Sequence, residues 1–225
     1  MSRVALDTLP AALADARGGR VVFVAHCLLN QNVRYLGGAF RRGAVDEVVR
    51  AFAARGVGLC QLGCPEEAAW GGVLKRLILL MVGSRGTLRF RLRRPLLWLF
   101  GVYTRAVYRR LARVAARQIE DYVRSGFVVE GVVGVADSPS CGVRTTLELG
   151  RALDALADVP LAALTRRAMN ERVVAANRVP GTGWFVAALQ RQLERRGLEV
   201  PFFELDPRAA LERQEDPPWL SGPAG

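Results

Sequence analysis

Four cysteines in a chain of 225 residues are the side chains best suited to chemistry. Cys27 closes the apolar run RVVFVAHCLL (20–29), Cys60 lies inside VGLCQL (57–62), and Cys64 follows in GCPEE. Cys141 sits in the turn ADSPSCGVRTTLE (136–148). Widely spaced cysteines in a reducing compartment argue for ligands or nucleophiles before disulfides. The turn at Cys141 suits that use, because Pro139 and Gly142 hold a bend that gathers a sulfur and several backbone N–H groups at one point. A helix is expected just after it, whose positive end would favour the thiolate, while N–H···S bonds would tune a bound metal. Cys60, inside a strand, is expected to act as a small hydrophobe.

The elements that must position these sulfurs alternate. Strands are expected at 20–29, 57–62, 129–136, 160–165 and 200–205. Helices are expected at 44–54, at 95–123, from a capping box of Thr145 with Glu148 to about 156, and in TGWFVAALQRQLERRGLEV up to Gly197. The pattern is α/β, a Rossmann-like, doubly wound and mostly parallel sheet flanked by helices, in a single domain over 1–225 without internal repeats. Cys27, Cys64 and Cys141 each fall at or just beyond the carboxyl end of a strand, the edge where such sheets bind ligands. Three sulfurs distant in sequence can therefore meet. Three thiolates leave a metal one ligand short. Zinc would take water, His26 or a carboxylate as the fourth ligand, whereas a [4Fe–4S] cluster would keep one iron without a protein ligand. Residue types alone leave both open.

The motifs CLLNQNVRY (27–35), CPE (64–66) with GG at 71–72, and SPSCG (138–142), in this order, resemble the 2-thiouracil desulfurase family. The G-x-G at 181–183 and the helix and strand after it also look like that family, so the likeness covers most of the chain. It implies a Rossmann-like fold holding an oxygen-sensitive [4Fe–4S] cluster on three cysteines, here Cys27, Cys64 and Cys141. It also implies a non-redox desulfuration of a thiolated nucleobase or related thiocarbonyl compound, in which the unligated iron takes sulfur while water attacks the C=S carbon. That chemistry needs proton transfer. Glu66, two residues after a ligand, is the first candidate, and Ser138 and Asp137 come next; the competing reading of Glu66 is a carboxylate capping the following turn. Asn30, Arg34 and Tyr35 are candidates for contact with a polar heterocycle, or for stabilising their own loop. His26 is expected to pack against the sheet, since strand neighbours point to opposite faces and a dyad with Cys27 is awkward.

The chain departs from that family at 74–123, where KRLILLMVGSRGTLRFRLRRPLLWLFGVYTR replaces a proline-rich stretch. Leu99, Tyr103, Val107, Leu111, Ala115, Ile119 and Val123 recur every fourth residue and predict an amphipathic helix, with Arg105, Arg109, Arg113 and Arg117 opposite. Lys and Arg outnumber Asp and Glu by 32 to 21, and much of the excess lies between Lys75 and Arg117. The segment is expected to be a lid or packing helix, an RNA-binding surface, or a helix lying on an anionic membrane. The N-terminus lacks a secretory pattern and no run reaches the roughly 18 apolar residues that span a bilayer, so a cytoplasmic location is expected, with peripheral membrane contact as an option. The tail 215–225 reads as frayed. Two other classes stay in play: a non-catalytic Fe–S or zinc module that binds RNA or senses oxidants, and a zinc hydrolase on the same thiolates.

Overall fold

Arg20–Ala25 forms β1, the strand buried most completely, with Val22, Phe23 and Val24 sealed from solvent. A strand flanked by others and covered on both faces must be apolar throughout, which is why the run does not alternate. The computed structural model describes residues 15–208 and Leu220. The segment read as lacking a secretory pattern lies mostly outside the described residues, as does most of the tail; Leu220 itself is fully buried, and its carbonyl accepts from Arg55.

The chain then forms the short α1 (His26–Leu29), α2 (Asp46–Ala54) and β2 (Gly58–Leu62). The CPE motif opens α3 (Pro65–Ala69), and the basic segment supplies α4 (Arg76–Leu79), α5 (Leu88–Arg91) and the long α6 (Arg93–Arg124). Next come β3 (Val128–Val135), β4 (Thr145–Leu147), α7 (Leu149–Ala157), β5 (Arg178–Pro180), α8 (Trp184–Glu194) and β6 (Phe202–Leu205). β2, β1, β3 and β6 form a parallel sheet in that order, flanked by helices, and β4 pairs antiparallel with β5. The fold is α/β and Rossmann-like. The order 2-1-3 puts the chain's reversal of direction between β1 and β3, which is where an open parallel sheet leaves a crevice at its carboxyl edge. A second apolar cluster joins Met81, Leu153, Leu156, Met169 and Val173 beside the main core.

Several expectations need correction. β1 stops at Ala25, and 26–29 turn into α1. No strand forms at 160–165; Leu161–Ala163 is a 3-10 turn with Leu161 76% exposed. The run has no β-branched residue before Thr165, and β6 already covers the free edge of β3. Thr145 belongs to β4 rather than to a capping box, and Glu148 is itself the cap of α7, accepting from the N–H groups of Gly150 and Arg151.

The long helix is present, but its buried face is not the expected stripe. Gly101, Thr104, Tyr108, Ala112, Ala115, Ala116 and Ile119 face inward, whereas Leu99 and Tyr103 are 60% and 50% exposed. A residue repeated every four positions advances about 40° around a helix of 3.6 residues per turn, so the stripe winds off the buried side. The small residues at 101, 104 and 112 leave room for α6 to approach its neighbours. Among the described residues no helix is long and apolar enough to cross a membrane.

Candidate functional site

The three strand ends deliver their cysteines to one cavity. Cys27 is the second residue of α1, Cys64 stands two residues beyond β2, and Cys141 stands six residues beyond β3. All three line a single cavity of about 110 Å³ at the carboxyl edge of the sheet. Cys60 points elsewhere, packing on the core beside Tyr122, as its place inside β2 predicts.

Each sulfur has a donor of its own. Arg34 Nη1 lies 3.9 Å from Cys27 Sγ. The N–H of Glu67 lies 3.4 Å from Cys64 Sγ, which thereby caps α3, with Pro65 at the first helical position where its missing N–H costs nothing. Ser140 Oγ lies 3.6 Å from Cys141 Sγ. Burial pushes the Cys64 thiol up to about 12, with Glu66 adding to it. Burial also raises Cys27 and Cys141, and negative charge on Cys27 and Cys64 raises Cys141 further. Three thiols that oppose one another's ionisation in this way need a cation before they can all be thiolates.

The turn that carries Cys141 is built by close approaches. A Cβ on Gly142 would fall 2.0 Å from the carbonyl oxygen of Thr145, and one on Gly183 would fall 2.5 Å from Ser140, so both must be glycine. Cys141 is followed by β4, not by a helix, which corrects the expected dipole support. The helix that does point at the turn is α8, and its first N–H groups are taken by carbonyls: Trp184 donates to Pro139, and Phe185 to Ser140.

Glu66 projects from α3 towards that turn. Its Oε1 accepts from Ser140 Oγ at 2.7 Å and from Ser138 Oγ at 3.2 Å, and the two serine oxygens are 3.0 Å apart. Ser138 Oγ also accepts the N–H of Cys141 at 2.9 Å. The cap of α3 is the sulfur of Cys64, so the carboxylate of Glu66 is free of that duty. Asp137 sits beside this group in a left-handed conformation, φ 61°, with its carboxylate held by Arg178 and Arg208.

The expected substrate contacts divide. Arg34 and Tyr35 line the cavity, and the Arg34 Nε is buried without a hydrogen-bond partner. Burial pushes the Tyr35 phenol up, and its hydroxyl bonds Asn170 at 2.8 Å. Asn30 stays out of the lining and instead caps the 3-10 turn Gln31–Val33 by accepting from Asn32. His26 does line the cavity, from α1 rather than from a strand; burial lowers it, so it is neutral at pH 7, with Nδ1 3.8 Å from Glu67.

Sequence reasoning passed over four residues here. Gln31 ties Cys27 O to the N–H of Phe40 through its side-chain amide. Lys75 is buried and donates to the carbonyls of Val33 and Val73. Tyr108 brings a buried phenol, raised by burial and then by Glu66 and Cys141, from α6 to this neighbourhood. Glu204, from β6, accepts the N–H groups of Val143, Arg144 and Thr145 at 2.8, 2.7 and 3.0 Å, gripping the loop after Cys141. Only Gln31 lies inside a motif, CLLNQNVRY, and only the fold brings the other three near the cysteines.

The chain matches no family model, no curated protein and no solved structure. The site therefore has to be judged on its own chemistry. Among the described residues no three His, Cys, Asp or Glu side chains stand close enough together to hold one metal ion. Cys27, Cys64 and Cys141 line the cavity together with Glu66, Ser138 and Ser140. Three soft donors, each with a hydrogen-bond donor beside it and each raised by burial, fit an iron–sulfur cluster in donor type.

Proposed function

We propose that the protein is a desulfurase of thiolated nucleobases or related thiocarbonyl compounds, with a [4Fe–4S] cluster on Cys27, Cys64 and Cys141. The observation that carries this reading is the meeting of three strand-end sulfurs at one cavity with a carboxylate hydrogen-bonded to two serines. The resemblance of CLLNQNVRY, CPE and SPSCG to the 2-thiouracil desulfurases supports it. When bound, the cluster would supply a Lewis-acidic iron with affinity for soft sulfur.

The protein's own groups manage the protons. In the net reaction C=S and water become C=O and hydrogen sulfide, with no electrons exchanged. Glu66 Oε1 takes a proton from the attacking water, for which it must let go of one serine hydroxyl. Ser138 Oγ, bonded to that carboxylate and to the N–H of Cys141, passes a proton back to the substrate. Arg34, with an Nε still to be satisfied, orients a polar ring edge, and the apolar wall of Leu153, Leu156 and Val173 covers the rest and excludes water.

The test is anaerobic purification with iron, sulfide and zinc analysis, followed by a sulfide-release assay on thiolated pyrimidines and related thiocarbonyls. About four irons per chain and release dependent on them are expected. Zinc in place of iron, or a loaded protein that releases no sulfide from any thiocarbonyl, would overturn the proposal.

A further inference from the structure

Between Glu67 and Glu120 the chain contains twelve Lys or Arg residues and no Asp or Glu. The structure puts this charge beside a continuous apolar surface. On α6, Leu96, Leu99, Val102 and Tyr103 are all about half exposed or more, and all four project within an arc of about 120°. Leu88 and Leu92, at the adjoining α5, are also exposed, and Trp98, 71% exposed, flanks the arc. Two turns further along α6, the same arc is occupied by Arg110, Arg113 and Arg117. The buried face of the helix, centred on Tyr108 and Ala112, points the opposite way. Arg91, Arg94, Arg110, Arg113 and Arg117 are exposed, and their side chains make no hydrogen bond or ion pair among the described residues.

We propose that α5 and the outer face of α6 dock on an anionic lipid surface, with the leucines and Trp98 in the headgroup–acyl boundary and the arginines on the phosphates. This goes beyond the desulfurase reading and does not depend on it. Charge complementarity selects the occupant. A second copy would bring its own Arg91, Arg94, Arg110, Arg113 and Arg117 against these five, with no acid in the segment to oppose them. RNA would satisfy the arginines but would leave Leu88, Leu92, Leu96 and Leu99 against phosphate and water, since aliphatic side chains do not stack on bases as aromatic ones do. A bilayer rich in anionic headgroups takes both parts at once. No described helix is long and apolar enough to span the bilayer, so α6 lies on it.

Co-sedimentation of the full chain with vesicles of phosphatidylcholine, with and without one third phosphatidylglycerol, tests this at about 0.1 M salt. Binding is expected to the anionic vesicles only, weakening as salt rises. Arg110→Ser with Arg113→Ser should weaken it about 25-fold, at about fivefold per arginine near the surface. Trp98→Ser with Leu99→Ser should weaken it at least tenfold while leaving salt dependence in place. Each altered side chain is exposed, so circular dichroism should not change. Metal-free protein should bind the same vesicles, which separates this result from the fate of the desulfurase reading. The proposal is overturned by three outcomes: no binding to anionic vesicles, binding indifferent to Trp98 and Leu99, or light scattering that shows a dimer broken by Leu99→Ser. Transfer RNA that binds while vesicles do not would give the face to RNA instead.

Discussion

Ser140 gives its hydroxyl proton to Glu66 across 2.7 Å, and that bond joins α3 to the loop after β3. The same hydroxyl lies 3.6 Å from Cys141 Sγ, and one proton cannot serve both acceptors. A thiolate at Cys141 would compete for it, so Ser140 links the carboxylate and the sulfur. Glu66→Gln keeps the size of the side chain and removes the base. Sulfide release should fall by about 10²- to 10⁴-fold, the usual contribution of a positioned acid or base. Iron content should hold, since Glu66 is not among the proposed ligands. A fall in iron that matches the fall in rate would show Glu66 to be structural instead.

Replacing Cys27, Cys64 or Cys141 by serine should empty the site, because a hard alcohol is a poor ligand for a soft centre. Cys60→Ser should leave iron content unchanged, since Cys60 packs beside Tyr122 on the core and away from the cavity. The four variants, purified without oxygen and assayed for iron and sulfide, give a direct map of the ligands. Loss of iron in Cys60→Ser would mean that the ligand set is wrong.

Glu204 is the test of how Cys141 is held. Its Oε2 accepts three consecutive backbone N–H groups, and its Oε1 accepts from the Thr145 hydroxyl at 3.1 Å. Glu204→Ala strips those donors of their partner, with the side chain nearly sealed from solvent to begin with. A loss of about 3 kcal/mol in urea unfolding is expected. Iron loading should drop as well, although Glu204 does not line the cavity. A stability change without a loading change would place the loop beyond the influence of the site.

How far the sequence foretold this site depends on the range of each signal. The sulfurs were legible because Cys27, Cys64 and Cys141 follow the apolar strands β1, β2 and β3, whose carboxyl ends share one edge in a parallel sheet. Glu66 and Ser138 came from proximity in sequence to Cys64 and Cys141, and the fold does join them, at 3.2 Å. Glu204 and Gln31 act through backbone groups far away or across a turn, which leaves no pattern in a single chain. PLAALT misled because a short apolar run has the same appearance in a strand and in a turn. On α6 the every-fourth-residue stripe was real, but half of it faces outward, since an unpartnered apolar surface and a core face share one periodicity.

The thiols also tie stability and metal uptake to pH. In the metal-free protein Cys64 is raised from the ordinary 9.0 to about 12 by burial, and Cys27 and Cys141 are raised as well. A folded value above the unfolded one means that folding favours the protonated thiol. The resulting stability is full below about pH 9 and drains away as pH climbs towards about 12, because the unfolded chain gives up its protons first. Thermal unfolding of metal-free protein between pH 8 and 11 should therefore show a steeper alkaline fall in Tm than Cys64→Ser, whose hydroxyl does not titrate there. Metal uptake works in the opposite direction, since thiolates bind and thiols do not. Loading at pH 7.5 in weak buffer should release about three protons per chain, and apparent affinity should rise with pH. Parallel Tm curves for the two proteins, together with loading that releases no protons, would show that these sulfurs are neither held protonated by burial nor used as ligands.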